Sequence, residues 1–450
     1  MNSLRRVPLF AVLAIVLIAV GIFSSMASSV NPSQLPSSLA LNGQAESTAL
    51  YCTGFSSAKL GESGRVILVN TTGRSHEITI DHVSNLGVGF SNEVNLGAYG
   101  RYGFDPSAGV DGDYFGVGAQ VSGGGVVGVQ VTKDDTSEAP CISTGITNWF
   151  AAGFDTTVGS SAILSVYNPT ATPAVFNVST FSQTGYVAPQ KFQGYAVAAH
   201  SQAEINLGVA IVDLSDIGVH VRVLRGTLDI VGLQQSGATV SYNTGVEAPS
   251  TSAIFPLVTT ANNATAQIRI ANPGPTPANV TLNVTLKSFH VPNQTLSVPP
   301  YGSAVATITP NSAIPAAGYA RVSMTSSQPV IVALATGTGK DIALSAPSSP
   351  QPEYLIGDFT GKGFDGAELT NTSSKSITVS ITRLSSSGAK LLGTQFGMTG
   401  DESLALSDSA FANLPGVAVV VKSSRPALEV TLALPTRPAG MTVGSGLDGR

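Results

Sequence analysis

Apolar and polar residues alternate with a period of two along much of this chain. In residues 280–286 valine and leucine alternate with threonine and asparagine, and in residues 377–382 isoleucine and valine alternate with threonine and serine. Antiparallel strands that pack one face on a core and leave the other in water have this period. Turns rich in glycine, proline, asparagine and serine separate the strands, and no long segment has the 3.6-residue period of a helix. The pattern predicts an all-β protein.

Three sequence markers recur along the chain with one period. An asparagine closes an apolar strand at positions that are 98, 104 and 99 residues apart. A glycine then opens a later strand, and a turn such as SSQP (326–329) or SSRP (423–426) follows, which we interpret as a hairpin. Solenoid repeats are only about 20–50 residues long, so each repeat here is expected to be a complete domain. The marker asparagines are Asn70, Asn168, Asn272 and Asn371, and the marker glycines are Gly116, Gly218, Gly318 and Gly416.

The recurrence of asparagine at the strand end has an expected local reason. Asparagine tolerates left-handed or turn geometry, and its side chain can hydrogen-bond to its own backbone nearby. A proline follows Asn168 and Asn272 and ends the strand there, because proline cannot donate to a sheet ladder.

Short strands and turns in repeats of this length predict four tandem immunoglobulin-like β-sandwich domains. We number them repeats 1 to 4. The linkers VEAPSTS and APSSPQP are short and rich in proline and serine, which favours an extended or gently bent rod. The predicted bounds are 47–141, 142–247, 248–348 and 349–438, followed by a flexible tail at 439–450.

The N-terminus predicts a membrane segment. Arg5 and Arg6 precede an apolar run at residues 7–23, and a Ser/Pro-rich stalk follows at residues 24–46. Positive residues before an apolar run place the N-terminus inside and the rest of the chain outside the membrane. The run is long enough for a spanning helix and only slightly too long for a signal peptide. Residues 1–23 are therefore a signal-anchor helix, or the chain is secreted after cleavage at Ala27.

The two cysteines lie at the two ends of repeat 1. Cys52 and Cys141 would pair in an oxidising compartment, which agrees with export of the body of the chain. The alternative is a pair of buried free thiols in a cytoplasmic protein. We predict the disulfide.

Composition and motifs exclude several functions. Only 11% of residues are charged, the net charge is −5 and no basic run follows the N-terminus, so no nucleic-acid partner is expected. The chain has no Gly-x-Ser-x-Gly, His-Glu-x-x-His or phosphate-loop motif, and its five histidines are scattered. We expect no enzyme activity, no cofactor and no metal site.

One loop differs from its counterparts in the other repeats. Residues 99–114 of repeat 1 are rich in tyrosine and aspartate, whereas the corresponding stretches are apolar or small. Tyrosine and arginine on a glycine-supported loop are typical of interaction surfaces. Two alternatives stay open: a polar turn whose aromatics cap the sandwich, and a Ca²⁺ site formed by the three aspartates. The candidate binding residues are Tyr99, Arg101, Tyr102, Asp105, Asp111, Asp113 and Tyr114.

The N-terminal segment, the stretch ALYCTGF before the first strand and the four asparagine-marked repeats give the chain a family resemblance. It resembles a family of exported, membrane-anchored actinobacterial proteins of unknown function. The resemblance covers nearly the whole chain and implies an extracytoplasmic location linked to cell-envelope assembly. It supplies no functional residues.

These observations favour a non-enzymatic protein, tethered to the membrane by its N-terminal helix, that acts as a spacer, scaffold or partner-binding module in the cell envelope. Its expected partner is an envelope protein or a polysaccharide. An alternative from another class is a carbohydrate-binding protein that uses the Tyr/Asp-rich loop of repeat 1. A third is an enzyme whose catalytic groups converge from different strands without a local motif.

Overall fold

A computed structural model shows that the protein is all-β. Its described residues form antiparallel strands joined by short turns and contain no α-helix. The predicted signal-anchor helix and stalk lie outside the described residues. Within the part of the chain that is described, no helix has the length and apolar character needed to cross a membrane. The described residues are 47–56, 64–132, 137–237, 239–259, 265–286, 289–291, 293–308, 319–338, 341–347, 353–356, 366–385, 388–391, 395–400, 402–407, 418–434, 442–445 and 447–448.

Repeat 1 contains two four-stranded sheets that share one core. Apolar side chains from both sheets meet in a single buried cluster, which explains the alternating sequence pattern. The strands are β1 (Ser47–Ser56), β2 (Gly64–Asn70), β3 (His76–Ser84), β4 (Gly87–Leu96), β5 (Arg101–Phe104), β6 (Tyr114–Ser122), β7 (Val126–Thr132) and β8 (Glu138–Pro140). The sheet orders are β1-β6-β3-β4 and β5-β2-β7-β8.

Repeat 2 has the same two-sheet plan, with its own buried cluster. Its strands are β9 (Asn148–Phe154), β10 (Ser160–Asn168), β11 (Ala174–Ser182), β12 (Gly185–Val187), β13 (Tyr195–Val197), β14 (Ser201–Asn206), β15 (Ile217–Arg225), β16 (Asp229–Ser236) and β17 (Thr239–Asn243). Two single-turn 3-10 helices lie at Gln190–Phe192 and Leu207–Val209. The sheet orders are β14-β10-β16-β17 and β12-β11-β15-β9, and β13 also pairs with β11.

In repeat 3 one long strand belongs to two groups of partners. The first half of β24 (Tyr319–Thr338) pairs with β18 (Ser250–Thr259) and β20 (Ala278–Leu286). Its second half pairs with β19 (Thr265–Ala271) and β25 (Asp341–Ser345). Strands β21 and β22 pair with β20, and β23 pairs with β19. The strands are β18 (Ser250–Thr259), β19 (Thr265–Ala271), β20 (Ala278–Leu286), β21 (Phe289–His290), β22 (Gln294–Val298), β23 (Ser303–Ile308), β24 (Tyr319–Thr338) and β25 (Asp341–Ser345).

Repeat 4 returns to two sheets, and it extends past its predicted end. Strands β34 (Thr442–Ser445) and β35 (Leu447–Asp448) lie in the predicted flexible tail. They pair with β33 (Leu428–Leu434) and β26 (Glu353–Ile356), so residue 438 is too early a boundary. The sheet orders are β29-β28-β32-β26-β35, with β30 beside β28, and β31-β27-β33-β34. The strands are β26 (Glu353–Ile356), β27 (Gly366–Asn371), β28 (Ile377–Ser385), β29 (Gly388–Leu391), β30 (Phe396–Met398), β31 (Ser403–Ser407), β32 (Ala418–Ser423), β33 (Leu428–Leu434), β34 (Thr442–Ser445) and β35 (Leu447–Asp448).

The turn that follows the late strand is a crossover between sheets, and the predicted hairpin is wrong. Strands β6 and β7 lie in different sheets, as do β15 and β16 and also β32 and β33. In repeat 3 the strand β24 passes through the SSQP sequence (326–329) without a break. Apolar residues on both sides of the turn are buried in the same core from opposite sheets, which a hairpin within one sheet does not achieve.

Each marker asparagine is a fully buried hydrogen-bonding centre at the end of its strand. The Nδ2 group of Asn168 lies 2.8 Å from the carbonyl oxygen of Thr172, 3.2 Å from that of Val197 and 2.8 Å from that of Ala198. Its Oδ1 accepts from the backbone N of Thr170 at 3.0 Å and from the hydroxyl of the same residue at 2.7 Å. Equivalent contacts surround Asn70, Asn272 and Asn371, although Gly274 supplies only its backbone N in repeat 3.

The left-handed backbone expected at the asparagine occurs instead at a residue that is hydrogen-bonded to the turn after it. None of the four asparagines has a positive φ, whereas Tyr99, His200 and Tyr301 have φ of 52°, 45° and 54°. The backbone N of each donates to the carbonyl of the residue two positions after the asparagine, at 2.9–3.1 Å. The asparagine side chain thus links two distant chain segments, which we call the asparagine corner.

The predicted disulfide is confirmed. Cys52 on β1 and Cys141 after β8 are bonded, with their Cα atoms 4.6 Å apart, and both residues are buried. The backbone of Tyr51 exchanges two hydrogen bonds with that of Ile142 next to the bond. The disulfide therefore joins the first strand of repeat 1 to the residue that follows its last strand.

Buried polar contacts join repeats 1 and 2. The Nε2 group of Gln202 donates to the hydroxyl of Thr53 at 2.6 Å and to that of Ser165 at 2.5 Å, and these two hydroxyls lie 3.0 Å apart. The hydroxyl of Tyr242 donates to the carbonyl of Gly54 at 3.4 Å. These side chains fix β1 of repeat 1 against β10 and β14 of repeat 2.

A buried ion pair joins repeats 2 and 3. Arg269 of repeat 3 lies 3.1 Å from Asp216 and donates to the carbonyl of Gly153 at 2.8 Å, both in repeat 2. Gly218 lies so close to Ala271 that a Cβ atom at position 218 would overlap the alanine methyl group. The two repeats are in direct backbone-to-side-chain contact.

The described residues do not follow the extended rod that the linkers favoured. Leu384 and Val420 of repeat 4 are buried and belong to the core cluster of repeat 1. Short linkers limit the separation of neighbouring repeats, but apolar residues on a sandwich surface decide which repeats pack together. In this chain the fourth repeat packs against the first.

The buried carboxyl of Asp229 should make the stability of the protein depend on pH. Burial raises the pKa of this carboxyl above its usual value of 3.8, and the backbone N–H of Ile230 only partly offsets that rise. The unfolded chain loses the proton near the usual pKa while the folded protein still holds it, so stability falls as pH rises from there to the folded-state pKa. The variant Asp229→Asn should therefore gain more stability at pH 7 than at pH 3, measured by urea unfolding.

Asp113→Asn is the matched control, because Asp113 is exposed. It should change the free energy of unfolding by no more than about 0.5 kcal/mol, as an exposed substitution does. An equal effect of Asp229→Asn at pH 3 and pH 7 would mean that the carboxyl is ionised over the same pH range in both states.

Candidate interaction surface

The aromatic residues of the predicted loop are partly buried. Tyr99, Tyr102 and Phe104 pack against the apolar cluster of repeat 1, and the rings of Tyr102 and Phe104 lie 5.4 Å apart in a stacked arrangement. Arg101 begins β5 opposite Val69 and is half-buried. Tyr99 occupies the positive-φ position of the asparagine corner, where repeat 3 also has a tyrosine. These contacts give Tyr99 and Tyr102 a place in the fold in addition to any role in binding.

The acidic residues of the same loop are exposed. Asp105 accepts from the backbone N of Ser107 at 2.8 Å and from its hydroxyl at 2.7 Å, and so caps its own turn. The backbone N groups of Asp113 and Tyr114 donate to the side chain of Asn85, at 2.9 and 3.3 Å. The side chains of Asp105 and Asp113 thus face solvent, as does that of Asp111.

The Ca²⁺ alternative has no supporting geometry in the described part of the chain. No three His, Cys, Asp or Glu side chains within it come close enough to hold a metal ion. Asp105, Asp111 and Asp113 all lie within the described residues, so they are not brought together as a ligand set.

The hairpin of β3 and β4 borders the loop and carries aromatic contacts to it. The ring of His82 stacks on Phe90 with centroids 4.3 Å apart, and it lies 5.3 Å from the ring of Phe104. His82 also contacts the carbonyl of Pro106 at 3.2 Å through Nδ1. At Gly89 a Cβ atom would lie 2.7 Å from the side chain of Val110. The hairpin and residues 104–110 therefore form one continuous surface.

This hairpin was missed by the sequence analysis. Leu86, Val88 and Phe90 are 75%, 48% and 38% exposed, which is unusual for three large apolar residues so close in sequence. The signal for it in the sequence was the absence of proline from residues 85–96. A proline interrupts the corresponding stretches of repeats 2 and 3, at Pro189 and Pro292. We define the hairpin and the loop 99–114 together as the repeat 1 surface.

Exposed negative charge is concentrated on the repeat 1 surface and its flank. Six carboxylate residues are exposed among the residues whose exposure is described, and five of them lie between residues 77 and 113. The sixth is Asp213 in repeat 2. The five are Glu77, Glu93, Asp105, Asp111 and Asp113.

A concave region lies in repeat 2, and its lining contains no pair of acid–base side chains. Residues 156–162 line one side, and Asn206, Gly208, Val209, Val212 and Asp213 line the other. Asp213 is the only titratable side chain in this lining, and no histidine borders it. The region therefore gives the enzyme alternative no acid–base pair.

Two histidines outside this region have structural partners. His76 lies between the hydroxyl of Thr72, at 2.7 Å, and the carbonyl of Ser122, at 2.8 Å. The ring of His220 stacks on Phe150 with centroids 4.0 Å apart, and burial lowers its pKa to about 4. Both rings are accounted for by packing and hydrogen bonds.

Comparison with solved structures finds only distant likeness. The chain is similar to a "tetra-tandem repeat in extending region of large adhesion protein", with 14% identity over 84% of this chain and 93% of that one, at a TM-score of 0.13. It is also similar to E. coli alpha-2-macroglobulin in its native conformation, with 8% identity over 85% of this chain and 28% of that one, at a TM-score of 0.12. These TM-scores are too low to bear on the fold.

Comparison at the sequence level points to one family. No curated protein matches the chain. A family model described as "Family of unknown function (DUF5719)" matches residues 124–248. The match begins just before β7 and ends just after β17, so it includes Cys141 and all of repeat 2. Over that stretch the chain is similar to a family whose function is unknown.

Proposed function

We propose that this chain is a non-enzymatic protein on the outer side of a cell membrane, tethered by its N-terminal segment. In this proposal four immunoglobulin-like sandwich repeats form a scaffold that holds an envelope partner. The observation that carries the scaffold is the buried joint between neighbouring repeats. Neighbouring domains move relative to one another by default unless their interface is large and apolar. Buried apolar residues of repeats 2 and 3 form one shared cluster, which opposes such motion.

Two features support the proposed location. The disulfide of Cys52 and Cys141 is of a kind that persists in secreted and envelope compartments and is rare in the cytosol. The apolar run after Arg5 and Arg6 supplies an export signal in the sequence. Both point to a body outside the membrane.

The immunoglobulin-like part of the proposal rests on the sheet pairs. In repeats 1, 2 and 4, two antiparallel sheets accompany a buried apolar cluster, and the late strands cross from one sheet to the other. Greek-key sandwiches have connections of this kind. The asparagine corner recurs in all four repeats, which supports a common ancestral unit.

The carbohydrate-binding alternative has less support. Sugar platforms need exposed planar rings, but Tyr99 and Tyr102 lean on the core of repeat 1. Among the tyrosines whose exposure is described, the most exposed are Tyr186 and Tyr301, at 53% and 40%, and their rings are tilted by 59° to each other. Neither pair forms a flat aromatic surface.

The joint between repeats 2 and 3 provides the test of the scaffold. Replacing Gly218 by alanine introduces a methyl group that overlaps Ala271, so the two repeats must separate. We expect repeats 2 and 3 to unfold together in urea in the native chain and in two separate transitions in the variant. Fluorescence labels placed in the two repeats should also show a broader distance distribution in the variant.

Gly97→Ala is the matched control, because no atom lies within 4 Å of its added Cβ. This variant should keep the unfolding profile and the distance distribution of the native chain. If the native repeats already unfold separately and their distance is broadly distributed, the chain is a flexible string of domains and the scaffold is disproved.

A further inference from the structure

Repeat 1 has an unbroken edge strand where the other repeats have broken ones. Strand β4 is ten residues long, and nine of its residues pair with β3, with one bulge at Gly89. The equivalent neighbour of β11 is split into β12 and β13, that of β20 into β21 and β22, and that of β28 into β29 and β30. Natural proteins shorten or interrupt edge strands to prevent pairing with other chains. Repeat 1 lacks that protection.

The outer edge of β4 has unpaired backbone groups. Among the described residues, β4 pairs with β3 alone, and only its last carbonyl, that of Leu96, receives a further bond, from Asn70. The strand contains no proline and no lysine, the two residues that most often block an edge. A row of alternating N–H and C=O groups is complementary to an extended chain, so the occupant that fits this edge is another strand.

The two faces of the hairpin differ in chemistry. On one face Glu93 lies opposite Thr79, and Glu77 lies opposite Asn95. On the other face Phe90 lies opposite His82, beside Val94 and the apolar contacts of the loop. Side chains of an added strand would alternate between these faces. One set would meet carboxylates and the other would meet apolar groups.

The charge balance selects the sign of the added strand. Five of the six exposed carboxylates described above lie on the repeat 1 surface or its flank, whereas Arg74 is the one exposed basic residue of repeat 1 among the residues whose exposure is described. The other exposed basic residues in that set lie in other repeats: Lys191, Arg222, Arg225, Lys375, Lys422 and Arg425. A basic segment is attracted by this field and an acidic one is repelled.

We propose that the outer edge of β4 binds an extended segment of a partner protein in which basic and apolar residues alternate, by strand addition. This inference rests on the proposed scaffold function and assigns its binding surface and partner class. The added segment becomes a fifth strand of the sheet β1-β6-β3-β4. Its basic residues lie beside Glu93 of β4, with Glu77 of β3 one strand further in, and its apolar residues lie beside Phe90 and Val94.

The probe is a synthetic ten-residue peptide of alternating lysine and valine, labelled for fluorescence anisotropy and titrated with the full-length chain. We expect saturable binding, together with slower hydrogen exchange at amides in residues 87–95. A second peptide carries an N-methyl group on every backbone amide. It keeps the charges but lacks the hydrogen-bond donors, so its binding should be lost.

Charge variants test the face of the hairpin. The double variant Glu77→Gln, Glu93→Gln should bind the peptide about threefold to tenfold more weakly, because the exposed carboxylate beside the added strand and the one a strand further in are both removed. Asp213→Asn, which neutralises the sixth exposed carboxylate among the residues whose exposure is described, should bind normally. Both variants change exposed side chains and should retain the native melting temperature.

Three results would overturn the proposal. The first is equal binding of the N-methylated peptide, which would show attraction by charge alone. The second is slowed exchange at another strand while residues 87–95 stay unprotected. The third is self-association through residues 87–95 without peptide binding, which would assign the edge to a second copy of this chain. Failure of the chain to bind the peptide, with the Gly218 joint intact, would contradict this inference and leave the scaffold standing. Peptide binding by a chain whose repeats unfold independently would disprove the scaffold and leave this inference standing.

Discussion

Replacing Asn70 by alanine is expected to lower the free energy of unfolding by about 3–5 kcal/mol. The side chain is fully buried, and Nδ2 approaches the carbonyls of Arg74, Leu96 and Gly97 at 2.6–3.2 Å. Its Oδ1 accepts two hydrogen bonds from Thr72, both at 2.8 Å. Alanine would leave several backbone groups without a partner, and each buried unsatisfied group costs about 1–3 kcal/mol. Urea unfolding monitored by circular dichroism measures the change.

Asn95→Ala supplies the control within the same repeat, because Asn95 is exposed on β4. Its effect should stay within about 0.5 kcal/mol. Asn70→Asp should be at least as harmful as the alanine variant, since a carboxylate would face three carbonyl oxygens. If Asn70→Ala unfolds at the same urea concentration as the native chain, water replaces the side chain and the corner is not a source of stability.

Removal of the disulfide is the second large effect. The double variant Cys52→Ala, Cys141→Ala opens a loop closed over a sequence separation of 89 residues. In the chain-entropy model such a loop contributes about 4–5 kcal/mol, so repeat 1 should unfold at a much lower urea concentration than in the native chain. Repeat 3, which does not contact the bond, should keep its stability except for coupling through repeat 2.

The control for this experiment is the native chain with its bond reduced under denaturing conditions and its thiols alkylated. It should lose at least as much stability as the double variant, because the alkyl groups must also fit at two buried positions. Both cysteines are buried, so reductant alone should act slowly on the folded protein. Alkylation of intact cells also reports on compartment: thiols that are free in the native host would contradict the envelope location.

The sequence predicted the strands and the bond because both depend on local or compositional signals. Period-two alternation identifies a half-buried strand wherever one face packs on a core, and the pattern at 377–382 lies in β28. Two cysteines at the ends of one repeat and an export signal were enough to predict the pair Cys52 and Cys141. The recurrence of asparagine marked the strand ends correctly at β2, β10 and β27.

Long-range features could not be predicted in the same way. The SSQP and SSRP turns have hairpin chemistry, but sheet membership depends on which core the flanking strands share, and no local signal encodes that. Contacts such as Gly218 with Ala271 are invisible without coordinates, because glycine at a strand start has several common explanations. The packing of Leu384 and Val420 on repeat 1 is likewise set by surfaces distant in sequence.

The candidate site was predicted in part. Comparison of the four repeats with one another identified the acidic loop in the sequence, and Asp105, Asp111 and Asp113 are exposed there. It did not reveal that Tyr99 belongs to a corner shared with Tyr301, because the two lie in stretches of different composition. It also overlooked β4, whose distinguishing property is the absence of an interruption.

The asparagine corner has a consequence for production of the protein in cells that attach glycans. The hydroxyl two positions after the asparagine donates to Oδ1, and this requirement writes the acceptor pattern Asn-x-Ser/Thr into the corners of Asn70 and Asn371. Proline follows Asn168 and Asn272, so those corners escape the pattern. A sugar chain added to the unfolded polypeptide at Asn70 would occupy the nitrogen that must later be buried against three carbonyls. In a eukaryotic secretory pathway, the residue that closes repeat 1, and likewise the one that closes repeat 4, would then prevent its repeat from folding.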